Sequence, residues 1–181
     1  PRKSRRLLGE TVCHHMVQGI NKEEIFKTED NKEKYIELLK KYYKEFKIDV
    51  IAYCIMDNHV HMLLYANDIK QISNFMKNIN SIYAMYYNKK TDRVGYVFRN
   101  RFKSVPIMDR KQLYTCIKYI HMNPVKAGKV KEESDYRYSS YNDYLNKTGF
   151  IHEEILKFIF NSSNNYIEKF QSIEYENSKE E

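Results

Sequence analysis

The chain has 181 residues, 42% hydrophobic and 30% charged, with a formal net charge of +7. That is enough apolar material for one packed domain with at most a small appendage, and the positive balance suits a polyanionic partner. Cys13, Cys54 and Cys116 show no Cys-x-x-Cys spacing, no apolar run approaches the roughly 18 residues of a membrane span, and the basic start is followed only by Leu7-Leu8-Gly9. A disulfide framework, a standard zinc motif, a membrane span and a signal-peptide core therefore have no support, and a cytoplasmic protein is expected.

Residues 11–18, with Val12, Met16 and Val17, read as a first strand closed by Gly19 and Asn21. Asp30 and Asn31 can cap a helix whose apolar positions, Tyr35, Ile36, Leu39, Tyr42, Tyr43 and Phe46, recur at helical spacing. Residues 48–56 form a strand rich in Ile, Val and Tyr. Asp57-Asn58 is turn chemistry, and residues 59–65 return as the partner strand of a hairpin. A long helix follows from Ile69 to near Tyr87, with Ile69, Ile72, Met76, Ile79, Tyr83 and Tyr86 as its buried stripe. Residues 88–94 are a polar linker, and residues 95–98 and 101–107 are expected to form a short hairpin around Arg99-Asn100.

Asp109 then caps a third helix that Asn123-Pro124 should end near Met122, because a residue before proline avoids helical geometry. Tyr136 to Tyr141 reads as a loop or short helix, and residues 153–160 and 166–173 as short helices before a frayed acidic tail. The order of elements predicts an α+β fold in which helices pack on an antiparallel sheet.

The chemistry concentrates in two segments. In Asn58-His59-Val60-His61 the side chains alternate across a strand, so His59 and His61 share a face. Two imidazoles on a rigid strand are half a metal site, although two histidines can also simply occupy a half-solvated strand. In Tyr119-Ile-His-Met-Asn123-Pro124 the phenol and carboxamide are four residues apart and project from one helical edge. Tyr119 lies roughly 110° from the centre of the apolar stripe of Leu113, Cys116, Ile117 and Ile120, a poor position for a core residue. Tyr114 is equally far from the stripe, on the opposite flank. The plain alternatives are a surface tyrosine and a helix-terminating asparagine.

Together the two segments make a chemical proposition. Two imidazoles and an amide oxygen would hold a divalent metal with open positions for water and a phosphate oxygen. Tyr119 would lie beside that phosphate. A phenol with a pKa of about 10 is mostly protonated at pH 7, and a nearby cation favours its ionised form and its attack. Basic residues cluster at Arg2, Lys3, Arg5 and Arg6, at Arg99, Arg101 and Lys103, and from Lys126 onward. They suit phosphate contact, with Tyr and Phe faces for base stacking. His14 and His15 point to opposite faces of the first strand. Either could support a metal ligand, but a packed or exposed histidine is the simpler reading.

The chain resembles the single-tyrosine HUH (histidine-hydrophobe-histidine) transposases, IS200-like, and among them the REP-associated branch. The matching residues are Met56-Asp-Asn-His-Val-His-Met-Leu-Leu64, Tyr119-Ile-His-Met-Asn-Pro-Val-Lys-Ala-Gly128, Phe98-Arg-Asn-Arg-Phe-Lys-Ser104, Tyr136-Arg-Tyr-Ser-Ser-Tyr141 and Pro1-Arg-Lys-Ser-Arg5.

The resemblance implies a ferredoxin-like antiparallel sheet flanked by helices. It also implies Mg or Mn held by His59, His61 and Asn123, Tyr119 as nucleophile forming a 5′-phosphotyrosine, and single-stranded or hairpin DNA as substrate. It admits a monomer or a homodimer with exchanged helices. The chain departs from the family where Gln18 replaces a common arginine and Tyr138 a common tryptophan. The implied division is a transposase domain over 1–145 and a partly frayed C-terminal helical extension over 146–181. The alternatives are a domesticated, non-catalytic hairpin-binding protein on the same fold and a phosphoesterase that uses water as nucleophile.

Overall fold

A computed structural model describes residues 9–99 and 102–146, together with Ile151, Leu156, Lys157, Ile159, Phe160, Glu168 and Ser172. The elements run β1 (Gly9–Gln18), α1 (Glu29–Tyr42), β2 (Asp49–Ile55), β3 (His59–Tyr65), α2 (Ile69–Lys90), β4 (Lys103–Ile107), α3 (Arg110–Lys126) and α4 (Tyr141–Asn146). The strands form one sheet in the order β2-β3-β1-β4, with every neighbouring pair antiparallel. This is the expected ferredoxin-like α+β arrangement. Among the described residues no helix is long and apolar enough to cross a membrane.

The two central strands set the faces. Gln18 lies opposite His59, Met16 opposite His61 and His14 opposite Leu63. On β4, Lys103 faces Met16 and Val105 faces His14, while Cys54 on β2 faces His61. Because directly opposed residues project to the same side, these side chains share one face of the sheet. Helix α3 packs over that face through Leu113, Cys116, Ile117 and Ile120. The alternate residues Val17, Val60 and Met62 are buried on the other face. There Tyr35 of α1 and Tyr83 of α2 meet edge to face at 5.3 Å, and both pack on Phe26.

Several local expectations are corrected. Thr28, not Asp30 or Asn31, caps α1. Its hydroxyl accepts from the Asn31 amide at 3.3 Å, and Asn31 is buried, its side chain donating to the Ile25 carbonyl at 3.0 Å. The α2 helix continues to Lys90 behind a capping box of Asp68 and Gln71, and it buries Phe75 while Ile69 stays 39% exposed. No hairpin forms between residues 95–98 and 103–107. β4 pairs with β1 instead, and Phe98 bridges to Gly19. A short isolated hairpin would bury little, whereas β1 offers β4 an entire unpaired edge.

Pro124 does not end α3, which runs on to Lys126. The proline sits in the last turn, so its missing N–H costs only one terminal bond. The break comes at Gly128, whose φ of +65° is the left-handed conformation glycine adopts easily.

The segment from Tyr136 to Tyr141 is extended where it meets the sheet. The Ile55 amide donates to the Tyr138 carbonyl at 2.9 Å, the Ser140 amide donates to the Tyr53 carbonyl at 3.0 Å, and Cys54 bridges to Ser139. The outer edge of β2 is thereby covered, which removes an open sheet edge. Ser140 Oγ accepts from the Tyr53 amide at 2.9 Å and meets Nε2 of the buried His121 at 2.7 Å. Beyond α4, Leu156, Ile159 and Phe160 are buried. The helices expected over 153–160 and 166–173 fall largely outside the described residues.

Ser140 therefore joins the sheet edge to α3 through a fully buried hydroxyl. Ser140→Ala should lower the unfolding free energy by about 1–3 kcal/mol, because it leaves a buried imidazole nitrogen without its partner. Urea denaturation of the variant against the parent measures this, and an unchanged midpoint would contradict it.

Candidate active site

The turn between β2 and β3 delivers the histidines. The Met56 amide donates to the His59 carbonyl at 2.8 Å, the Phe26 amide to the Asp57 carbonyl at 2.8 Å and the Gly19 amide to the Asn58 carbonyl at 2.9 Å. The loop after β1 is thus sewn to the turn. Gly19 is required there because a Cβ would lie 2.3 Å from the Glu23 carbonyl oxygen. Asp57 pairs with Lys32 of α1 at 2.8 Å and also with Lys129 just after α3. One carboxylate therefore ties the histidine turn to the elements on both sides of the sheet.

His59 and His61 stand side by side, ring centroids 4.8 Å apart and nearly perpendicular. The His61 ring meets the Tyr119 ring edge-on at 5.3 Å. The Asn123 side chain lies close enough to His59 to influence its ionisation, and it donates its Nδ2 to the Tyr119 carbonyl at 2.8 Å. That bond holds the amide against the helix that carries Tyr119. His59 Nδ1 lies 2.6 Å from Asn58 Oδ1, so the ring nitrogen left for the site is Nε2. Lys126 places its ammonium 5.6 Å over the Tyr119 ring. The structure thus brings together His59, His61, Tyr119, Asn123 and Lys126.

Burial pulls the His61 pKa well below its ordinary value, with the neighbouring His14 and His59 acting in the same direction. Burial also lowers His59, opposed by the nearby Asn123 side chain and by the charge of Asp57. Both rings are therefore neutral at pH 7 and carry a nitrogen lone pair, the form that binds metals. The donor set of two neutral imidazoles and one amide oxygen fits a divalent cation with open positions. Among the described residues there is no cluster of three or more His, Cys, Asp or Glu arranged to enclose a metal.

Of the basic candidates, Lys103 lies on the site face near enough to His14 for its charge to lower that imidazole further, after burial, to about 4. The Arg99 amide donates to the Gln18 carbonyl at 2.9 Å, which holds this exposed arginine at the end of β1 where Gln18 faces His59. Arg2, Lys3, Arg5, Arg6 and Arg101 lie outside the described residues. Tyr114 is removed from the site, since its hydroxyl donates to the Ile159 carbonyl at 2.7 Å and its ring stacks on Phe160.

His14 is a site residue that the sequence did not single out. Its Nε2 is 2.9 Å from His61 Nδ1, and its ring meets Tyr119 edge-on at 5.9 Å. The strand period separated His14 from His15, but the register that chooses between them is tertiary. His15 points the other way, fully buried against Phe102.

The family model for IS200-like transposases matches residues 10–123. The chain belongs to that transposase family. A protein of Haemophilus influenzae named as a REP-associated tyrosine transposase is 28% identical over 122 residues, which cover 60% of this chain and 69% of that relative. The solved structure of a REP-associated tyrosine transposase bound to a REP hairpin superposes with a TM-score of 0.60. That match covers 79% of this chain and 88% of the other at 15% identity, and so shows the shared fold. Transposases of this family are enzymes that act in DNA transposition and are generally metal-dependent. The matched segment extends from β1 through Asn123, so it contains all four strands and the histidine and tyrosine segments.

Asp57 is the joint on which this geometry turns, since Lys32 is only 6% exposed at its side chain. Asp57→Asn should cost about 1–3 kcal/mol, discounted from the loss of a fully buried pair because Asp57 itself is 21% exposed. Chemical denaturation gives the number, and a change below a few tenths of a kcal/mol would show that the turn is held by its backbone bonds alone.

Proposed function

We propose that this chain is a metal-dependent, REP-associated-type tyrosine transposase that nicks and rejoins single-stranded, hairpin-associated DNA through a 5′-phosphotyrosine. The observation that carries the reading is the convergence of Tyr119 with His59, His61 and Asn123 on one face of the sheet. A protein that only binds hairpins has no use for a phenol held against two neutral imidazoles.

In this reading His59 and His61 through Nε2, and Asn123 through Oδ1, hold Mg or Mn. The ion, when bound, polarises a scissile phosphate and fixes its orientation. Every other part of the reaction falls to the chain. Helix α3 sets Tyr119 beside the phosphate, so the attack is effectively unimolecular. Lys126 stands over the Tyr119 ring, where its positive charge would also meet the phosphate. As the phenolic oxygen bonds to phosphorus, the bond from phosphorus to the 3′ oxygen breaks. The phenol proton passes to solvent, and the departing oxygen becomes the free 3′-OH. Attack by a 3′-OH from another strand reverses these changes and completes strand transfer.

Arg99, Lys103 and Lys126 border the site and are assigned to the DNA backbone, joined by Arg2, Lys3, Arg5, Arg6 and Arg101. The catalytic unit is assigned to residues 1–145, with residues 146–181 as an extension and the cytoplasm as the place of action.

The test is a denaturing-gel assay on labelled hairpin DNA, with single-stranded flanks taken from beside the gene, in Mn²⁺ or Mg²⁺. The expected result is a protein-linked product that disappears with chelator and with Tyr119→Phe. His59→Ala should reduce it at least about 100-fold, the scale of losing one essential contact to the developing charge. Cleavage that survives Tyr119→Phe would assign attack to water, and hairpin binding without any adduct would assign a non-catalytic role.

A further inference from the structure

Both candidate histidine ligands have one ring nitrogen already engaged, and in each case it is Nδ1. For His59 the partner is the neighbouring Asn58 side chain, at 2.6 Å. For His61 the partner comes from another strand: His14 of β1, whose Nε2 lies 2.9 Å away across a sequence separation of 47 residues. The ring planes are inclined by only 26° with centroids 5.1 Å apart, so the two nitrogens meet edge to edge, close to the plane of both rings. The contact is not an accident of a loose surface, since His61 is 3% exposed and both rings stand on paired strands.

A hydrogen bond between two neutral imidazoles has one donor and one acceptor. An imidazole that binds a cation through Nε2 must carry its proton on Nδ1, so that nitrogen needs an acceptor. We propose that His14 is a positioning residue for His61: its Nε2 accepts the His61 Nδ1–H, which fixes His61 in the tautomer whose Nε2 lone pair is free for a divalent cation. This inference rests on the functional reading above and adds to it a role for a residue outside the histidine and tyrosine segments. The same ring touches Tyr119 edge-on at 5.9 Å, so one side chain lies against both halves of the site. Asn58 plays the matching part for His59. The two supports differ in origin, one local and one across the sheet, so the β1–β3 register governs only the second.

The test uses the full chain and two readouts that do not depend on activity. Long-range ¹H–¹⁵N correlation spectra of the metal-free, histidine-labelled protein report which nitrogen of His61 is protonated. Wild type should show the Nδ1–H form, and an Nε2–H form would overturn the proposal without recourse to any variant. The second readout is Mn²⁺ affinity, followed by the electron paramagnetic resonance signal of the free ion. His14→Phe keeps a ring but removes the acceptor, and should weaken Mn²⁺ binding about 10–100-fold, the usual cost of losing a partner behind a metal-bound histidine.

His14→Gln offers a side-chain carbonyl at similar reach and should recover most of the affinity together with the Nδ1–H form of His61. That rescue is not expected if His14 merely fills space. If His14→Phe binds Mn²⁺ as tightly as wild type, His14 does not position His61, while loss of binding in His59→Ala would leave the metal reading intact. If neither His59→Ala nor His61→Ala weakens Mn²⁺ binding, the metal reading itself fails and this inference falls with it.

Discussion

The pairing of β1 with β3 is the constraint on which the site depends. In the observed register Gln18, Met16 and His14 lie opposite His59, His61 and Leu63. Side chains alternate strictly along a strand, so a slip of one residue would carry a whole set of side chains to the other face. His15 would then stand where His14 stands, and His14 would enter the core against Phe102. Such a slip is strongly opposed, because Val17, Val60 and Met62 are all buried on the face away from the site. The core thus fixes the register, and the register fixes which histidine reaches the candidate site. Stability and chemistry are written into the same strand pair on its two sides.

The second constraint is α3. Tyr119 and Asn123 can cooperate only if the helix remains regular between them, and Pro124 follows immediately. A proline deeper in the helix would tilt it and separate the two side chains. Here the helix passes through the proline, and the Asn123 side chain donates back to the Tyr119 carbonyl. The amide that would hold the cation is therefore oriented by the residue that would attack the phosphate. The two roles are mechanically coupled over a single helical turn. Asp57 and Lys129 then tie the end of this helix to the histidine turn, which sets the distance between the two halves.

Much of this was legible in the sequence because it follows from periodicity. The i, i+2 spacing puts His59 and His61 together, the i, i+4 spacing puts Tyr119 and Asn123 together, and the order of elements gives the antiparallel α+β class. What was not legible is tertiary. The supposed hairpin around Arg99-Asn100 had suitable strand residues, but local patterns carry no information about which edge a strand will join, and β1 was the better partner. Pro124 looked like a terminator because the rule for residues before proline is local, while the packing that holds α3 through its last turn is not. Ser140 and Asp57 looked like turn residues. Their buried links to His121 and Lys32 join parts of the chain far apart in sequence.

The charge of the site bears on the reading of a metal-dependent phosphate chemistry. Two neutral imidazoles and a neutral amide carry no negative charge, and Lys126 and Lys103 stand nearby. Such a set repels a divalent cation more than a carboxylate cage would, so the protein alone has modest reason to hold one. A phosphate in the open positions would supply the missing negative charge, and the same lysines that disfavour a bare ion would favour the phosphate. By linkage, a cation and a DNA phosphate that bound there together would each raise the affinity of the other by the same factor. A site built this way would be completed by its substrate, which would confine the activated state to the moment when a strand lies against Tyr119. With no charged side chain among the three candidate ligands, orientation of their lone pairs is what the chain itself would contribute to holding an ion.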